Sequence, residues 1–214
     1  MLERIHFEDR ETWLKNRVKS IGASEAAAAV GLSQFESRRE LWEEKTGRRK
    51  HADLSENAAV QYGIRLEPVL RDMYQAEHPD TKVEYYPYDV LYDSTRPWMT
   101  CTLDGELTEP DGRKGLLEIK TAQLGKKAQW DRWQDAVPAW YYTQICHQLI
   151  VTGWDFAVLY AKLVKLDGDS HIRTYRFERE KLQDDMNWLL RKETAFWHNF
   201  IVADEAPPFE LGKV

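Results

Sequence analysis

Glu118 and Lys120 stand in the stretch GLLEIKTAQ, Gly115 to Gln123, where an apolar run is interrupted by a carboxylate and an ammonium. In a strand, residues i and i+2 project from the same face, so the two charges point the same way. Upstream, CTLDGEL ends a strand at Asp104 with Gly105 to turn it, and ELTEPDGRKG has the length of a hairpin connection. Two adjacent strands of that kind bring Asp104 beside Glu118. Two carboxylates and a main-chain carbonyl such as that of Ile119 are the hard oxygen ligands that Mg²⁺ takes, with its other positions left to water and phosphate. A lysine beside such an ion eases deprotonation of a bound water or holds it in line with phosphorus. This set suits metal-dependent phosphodiester hydrolysis. A solvated, salt-bridged hairpin fits the same residues equally well, and a second E-x-K, Glu43 to Lys45, sits on a helix and needs no special explanation.

Further polar residues fall in segments that otherwise read as buried. Glu67 lies in YGIRLEPVL with Ile64, Leu66 and Leu70 packed around it, as a satisfied core carboxylate or as a further ligand to metal and water. Gln144 and Gln148, at i and i+4 in WYYTQICHQLIVTG, set two amides on one face of an apolar helix, where inter-helix hydrogen bonds are the plain reading. In SIGASEAAAAVG, Ser24 reads as an N-cap, Glu25 to Val30 as a short helix and Gly31 as its stop. The free N–H groups of that helix end point towards Ser24 and Arg17, a favourable place for an anion.

These residues need elements to hold them. Glu8 to Val18 reads as an amphipathic helix, and Ser37 to Glu40 is a capping box opening a helix that runs to Gly47. A long helical stretch follows from about Ser55 to Glu77, with apolar positions at Val60, Ile64, Val69, Leu70 and Met73 and an irregularity at Pro68. The period then changes to three short strands, KVEYYPYDVLYD, WMTCTLDGEL and GLLEIKTA, separated by turn material. Pro138 to Val151 is helical, DFAVLYAKLV and HIRTYRFE are strands, Glu180 to Phe200 is a closing helix, and DEAPPFELGKV is irregular. The order predicts an α+β or mixed three-layer arrangement around one sheet.

Composition limits the function classes. The 214 residues contain no Pro/Gly/Ser-rich linker, low-complexity segment or repeat, which predicts one domain. A net charge of −6 is not the footprint of a uniformly basic nucleic-acid binder, although a local basic groove can sit on an acidic protein. Cys101 and Cys146 form no CxxC pair, which argues against a zinc module, a cluster or a disulfide framework and suits a reducing compartment. The charged start MLERIHFEDRETWLKNR lacks a signal-peptide apolar region. No run approaches the roughly 18 apolar residues of a membrane span. The expectation is a soluble, cytoplasmic protein.

Taken in order, W-x-x-x-R at Trp13 to Arg17, I-G-A-S-E at 21–25, G-x-x-x-E at 63–67, L-D-G at 103–105, E-I-K at 118–120 and Q-I-C-H-Q-L at 144–149 resemble the lambda exonuclease family, the YqaJ-type viral recombinases. That family belongs to the PD-(D/E)XK nuclease superfamily. The likeness runs from about residue 11 to 165, and an ordered set of motifs is more specific than any one of them. It implies an α+β, restriction-endonuclease-like core, a central sheet flanked by helices, in a single nuclease domain over 1–214 with a C-terminal helix and tail at 179–214.

The resemblance further implies a Mg²⁺-dependent 5′→3′ exonuclease on double-stranded DNA ends, with a two-metal site and Mn²⁺ as the alternative ion. Asp104, Glu118 and the Ile119 carbonyl would hold the metal. Lys120 would activate the water, Glu67 would complete a second metal's shell or orient the nucleophile, and Gln144 would hydrogen-bond the lysine or water. A 5′-phosphate pocket would be made by Arg17, Ser24 and Thr102. The family assembles as homotrimeric rings and works with a phage-type single-strand annealing protein, here in the cytoplasm of a bacterial host. One departure is Leu103, where the superfamily signature has proline; that residue makes no bond to metal. Arg38, Arg39, Arg48, Arg49, Lys50, Lys126 and Lys127 are candidates for a positive channel. Trp13, Trp130, Trp133 and Trp140 are expected in the core or at a subunit interface rather than stacked on bases. A superfamily endonuclease of restriction or junction-resolving type and a non-catalytic DNA-end-binding protein are the competing readings.

Overall fold

The structure, a computed structural model, describes residues 1–52, 54 and 56–210. In chain order the elements are β1 (Leu2–His6), α1 (Arg10–Arg17), β2 (Ile21–Gly22), α2 (Ala26–Ala29), α3 (Arg38–Lys45), α4 (Ala58–Glu77), β3 (Lys82–Glu84) and β4 (Asp89–Asp93). There follow β5 (Arg96–Cys101), β6 (Gly105–Thr108), β7 (Lys114–Leu124), α5 (Lys127–Asp131), α6 (Ala139–Thr152), β8 (Phe156–Lys165), β9 (Ser170–Glu178) and α7 (Gln183–Phe196).

Local chemistry explains the helix starts. Asp9 caps α1 by accepting from the Thr12 N–H at 2.7 Å, and Ser37 and Glu40 form the reciprocal capping box of α3. Asn57 caps α4; its expected start at Ser55 lies outside the described residues, as does the end of the expected irregular tail, 211–214. Pro68 stays inside α4. The expected closing helix ends as α-helix at Phe196 and continues as a π-helical turn, Trp197–Val202.

The strands divide between two sheets instead of one, β1-β4-β5-β2 and β3-β6-β7-β8-β9. The segment KVEYYPYDVLYD, expected as one strand, is cut by Tyr85–Tyr88 into β3 and β4, which belong to different sheets. WMTCTLDGEL likewise spans β5 of one sheet and β6 of the other, so Thr102–Asp104 is a crossing point between them. Gly105 does not turn a strand but opens β6, where an added Cβ would lie 3.2 Å from Leu117 Cβ. The α+β class stands, with mixed sheets flanked by helices.

β7 is the centre of the second sheet, antiparallel to β6 and parallel to β8. A parallel pair needs a long crossover, and here α5 and α6 supply it. Alternation along β7 then separates two cores. Leu117 and Ile119 pack with Leu70 and Tyr74 of α4, while Leu116 and Leu124 join Ile145 and Leu149 of α6 in the larger core. From Thr143 to Thr152 every residue of α6 is buried, as expected of a helix enclosed on all sides. By contrast α4 buries only a narrow seam. Ile64, Val69 and Met73, expected to be packed, are 48%, 51% and 40% exposed, because a helix lying on one face of a sheet has one covered face. Trp133 is in the core, and Trp130 packs against it. Among the described residues no helix is long and apolar enough to cross a membrane.

One buried charge pair joins three elements. His147 of α6 donates from Nδ1 to Glu193 Oε1 of α7 at 2.9 Å and from Nε2 to the Thr100 carbonyl of β5 at 3.0 Å, with both side chains fully buried. Two acceptors require two N–H donors, so the ring is an imidazolium. Burial alone would lower its pKa; the Glu193 charge and the hydrogen bonds outweigh it and hold the pKa above the ordinary histidine value. Such a group contributes its full stability below the unfolded pKa of about 6.5 and loses it as pH rises through the raised folded value. Glu193→Gln should therefore cost about 3–5 kcal/mol of unfolding free energy near pH 6. Denaturant titrations over a pH series should show the difference from wild type shrinking towards alkaline pH; an unchanged difference would mean a neutral pair.

Candidate active site

The hairpin brings the first acids together. Gly105 pairs with Leu117, so Asp104 lies just beyond the last β6 pairing and beside Glu118. Asp104 Oδ2 accepts from the Ile119 N–H at 2.7 Å. In a strand, N–H and C=O of one residue face the same neighbour, so the Ile119 carbonyl also faces the Asp104 side, where β6 no longer covers it. Burial and the Glu118 and Glu67 charges push the Asp104 carboxyl well above the ordinary range.

Glu118 is 3% exposed and would be costly as a bare charge. Gln144 donates to its Oε1 at 2.7 Å and Gln148 to its Oε2 at 2.5 Å, which explains the two amides one turn apart on α6. Lys120 Nζ lies 2.6 Å from Oε1 and 5.2 Å from the Tyr141 ring centroid. Against burial, which alone lowers it, the Glu118 and Asp104 charges keep the lysine above its ordinary pKa. In this arrangement it is an ammonium. The Gln148 Oε1 is buried without a hydrogen-bond partner.

Glu67 approaches from the other side because Gly63 lets α4 come close to β7; a Cβ there would meet Thr121 Oγ1 at 3.2 Å. One turn on, Glu67 Oε1 accepts from Arg71 Nη2 at 2.6 Å, and Arg71 Nε also donates to the Asp104 carbonyl at 2.5 Å. Burial raises the Glu67 pKa and the Glu118 charge adds to it, while Arg71 opposes both. The expected enclosure by Ile64 is not found, and Glu67 is 30% exposed.

Three acids gathered at one place leave negative charge that a divalent cation would neutralise. Asp104, Glu118 and the Ile119 carbonyl supply oxygen donors of the right hardness, with Glu67 at the edge. The residues therefore fit such an ion. Among the described residues no three carboxylate, imidazole or thiol side chains close on a single point, so an ion held here would also need main-chain and solvent oxygens.

Arg17, Ser24, Thr102 and Gln144 line a common pocket of about 80 Å³ with Trp13 and Gly22. Ser24 is not an N-cap: it lies within a 3₁₀ turn, Ala23–Glu25, and the helix after it is only Ala26–Ala29. Glu25 takes the capping role from below, accepting from the Gly22 N–H at 2.8 Å, and this frees the Ser24 hydroxyl to accept from Arg17 Nη2 at 3.0 Å. Arg17 is further held 5.2 Å from the Trp13 ring and 3.6 Å from buried Glu25 Oε1. Burial raises the Glu25 carboxyl, but Lys45 at 2.7 Å and Arg17 outweigh it and keep it ionised. The pocket thus presents a guanidinium and two hydroxyls, a set suited to phosphate oxygens.

Sequence reasoning left Arg71 and the Glu118 contact of Gln148 unassigned. Arg71 carried one signal, its i,i+4 spacing from Glu67, which reads as an ordinary surface pair. Of the expected basic channel residues, Arg38, Arg39, Arg48 and Arg49 each pair with an acid, Glu210, Glu43, Asp204 and Glu40 respectively. Lys50, Lys126 and Lys127 are exposed.

The YqaJ-like viral recombinase domain matches residues 12–155. The uncharacterized protein YqaJ of Bacillus subtilis (strain 168) is 25% identical over 201 residues, covering 94% of this chain; the chain spans 59% of that relative's length. Among solved structures, the alkaline exonuclease LHK-Exo of Laribacter hongkongensis superposes with a TM-score of 0.65 at 19% identity, over 91% of this chain and 94% of that one. Its complex with dAMP gives a TM-score of 0.65 at 20% identity and the same coverage. At such identities the likeness concerns the fold. With Asp104, Glu118 and Lys120 at the hairpin and Gln144 on the crossing helix, the chain belongs to the YqaJ-like viral recombinase family and has the lambda-exonuclease-like fold.

Proposed function

We propose that this chain is a nuclease of the lambda exonuclease kind, a Mg²⁺-dependent 5′→3′ exonuclease that digests linear duplex DNA from a 5′-phosphorylated end and leaves 3′ single-stranded overhangs. The observation that carries this reading is the continuity of the two sites: Gln144 both lines the Arg17 pocket and holds Glu118. An enzyme cutting inside a duplex has no use for a terminal-phosphate pocket beside its acids.

In this reading Arg17, Ser24 and Thr102 hold the terminal phosphate, and that anchoring sets the next phosphodiester against Asp104 and Glu118. Asp104, Glu118 and the Ile119 carbonyl would hold Mg²⁺, with Mn²⁺ as a substitute and Glu67 serving a second ion or the water. Held by these donors, such a cation would lower the pKa of a bound water and offset charge developing on phosphate oxygens. Lys120 Nζ orients the attacking water and donates to the developing negative charge. Gln144 and Gln148 keep the Glu118 carboxylate fixed throughout. Arg71 holds Glu67 in place and places a positive charge at the edge of the acidic centre. The resemblance supports, for the assembled protein, a homotrimeric ring, a phage-type single-strand annealing partner and work in the cytoplasm of a bacterial host.

The test is digestion of linear duplex carrying a 5′-phosphate at one end and a 5′-hydroxyl at the other, with Mg²⁺, beside covalently closed plasmid. Loss should proceed faster from the phosphorylated end and leave the circle intact. Nicking of the circle would point to an endonuclease, and no cleavage would leave a DNA-end-binding protein. Lys120→Ala should lower turnover by about 10²- to 10³-fold, as expected for loss of a positioned donor to developing charge. Chelation of divalent ions should abolish cleavage, and Mg²⁺ should restore it.

Arg17→Ala should act on end discrimination more than on chemistry. Losing charge-assisted hydrogen bonds worth about 1.5–3 kcal/mol reduces the preference for 5′-phosphate over 5′-hydroxyl by about 10- to 150-fold. Equal loss on both ends, with the preference unchanged, would rule the pocket out as the phosphate site.

A further inference from the structure

A loop borders the site, and its composition is unusual for an exposed surface. Between β3 and β4 the chain reads Tyr85-Tyr86-Pro87-Tyr88, and the tyrosines are 42%, 42% and 37% exposed. Tyr88 has φ +60°, a left-handed conformation that bulky residues rarely adopt. Such strain persists where surrounding contacts impose it, and here the Phe7 N–H donates to the Tyr88 carbonyl at 3.3 Å.

The three rings have different neighbours. Tyr86 is tied down, its hydroxyl donating to Glu84 Oε1 at 3.2 Å and the Arg4 guanidinium lying 4.6 Å from its ring centroid. Tyr85 has the Arg71 guanidinium 3.6 Å from its centroid, and Arg71 itself grips Glu67 and the Asp104 carbonyl. Through that shared guanidinium the Tyr85 ring stands beside the acidic centre. Tyr88 faces Trp13, with centroids 6.5 Å apart, and Trp13 carries Arg17. One short loop therefore sets a half-exposed ring near the acids and another near the phosphate pocket.

We propose that Tyr85 and Tyr88 are base-stacking contacts for the DNA strand engaged at this site, taking nucleobases near the 5′ end whatever their sequence. This rests on the nuclease reading, which supplies the strand. The chemistry is that of aromatic platforms on single-stranded nucleic acid: every base has a π-face, and stacking on a ring already fixed by its backbone loses little side-chain freedom. Arg71, against the Tyr85 ring, leaves the remaining exposed surface of that ring for a base and adds positive charge nearby.

The test uses the whole chain with a 5′-phosphorylated duplex bearing 2-aminopurine at the first or second position, with Ca²⁺ in place of Mg²⁺ to hold back cleavage. Wild type should quench the 2-aminopurine on binding. Tyr85→Ala and Tyr88→Ala should each lose quenching and weaken binding by about 5- to 150-fold, the range for loss of one stacked base. The Tyr85→Phe and Tyr88→Phe variants should retain both, since the ring is what stacks. Purine and pyrimidine ends should respond alike. Alanine variants that bind and quench like wild type would overturn the proposal. So would a change in oligomeric mass with quenching intact, which would make the loop a subunit contact. Mg²⁺-dependent cleavage by wild type, measured in parallel, separates the two ideas. Cleavage with unaffected quenching in the alanine variants removes the stacking role alone, and quenching lost in those variants without wild-type cleavage removes the nuclease reading alone.

Discussion

The buried carboxylate of Glu118 is the constraint around which the rest of this fold is arranged. A charge that is 3% exposed costs several kcal/mol unless hydrogen bonds replace its water, and three groups do so here: Lys120, Gln144 and Gln148. Two of them come from α6, so α6 must cross the Glu118 face of β7 at one particular rotation. That crossing in turn fixes the β7–α6–β8 connection and the parallel pairing of β7 with β8. His147, between the two glutamines, pins the same helix to β5 and α7. The central helix is therefore oriented by polar groups on two of its faces, and its apolar residues fill what remains.

The acids and bases at the site are interdependent. Glu118 is opposed by Lys120 and Glu67 by Arg71, yet for Asp104 the Ile119 N–H and the Lys120 charge do not outweigh burial and the other two acids, and its carboxyl is raised. The site holds one more acid than base among these five side chains. That surplus creates a local demand for a cation in a protein whose own folding is satisfied, and hydrogen bonds made beforehand keep the donors from reorganising when it arrives. Arg71 and Lys120 prevent the surplus from growing to the point where the three acids would force the site open.

Much of the acidic centre was legible in sequence because it depends on short-range rules. The E-x-K alternation and the hairpin length give the Asp104 and Glu118 neighbourhood without any knowledge of the distant chain, and the Ser37 capping box and Asp9 helix start are local as well. What was not legible depends on partners far away. Division into two sheets turns on where Thr102–Asp104 crosses, which alternation alone cannot show. Ile64, Val69 and Met73 have apolar spacing but no facing element, so periodicity overstated their burial. Ser24 satisfied the N-cap rule, but Glu25 was the better competitor for the backbone, since it is ionised and held by Lys45. The Gln148 amide looked like inter-helix packing because nothing local pointed to Glu118, thirty residues upstream.

Charge distribution reconciles an acidic chain with the proposed phosphate-binding role. At a net −6 the molecule as a whole repels DNA, and several of its arginines are spent on neighbouring acids. Arg17 is different in kind. Its acid neighbour, Glu25, is already paired with Lys45 at 2.7 Å and stands 3.6 Å away from the guanidinium, so the guanidinium is oriented without being neutralised. Ser24 and the Trp13 ring complete its positioning, and it lines the pocket that Gln144 shares. A fixed, incompletely paired arginine in a small polar pocket exerts a short-range pull that survives screening by salt, whereas the overall negative charge is felt mainly at distances beyond the Debye length of about 8–10 Å, where salt removes it. Recognition of a chain end, as proposed for this pocket, would need only that short-range pull, since an end offers one extra phosphate charge at a single point.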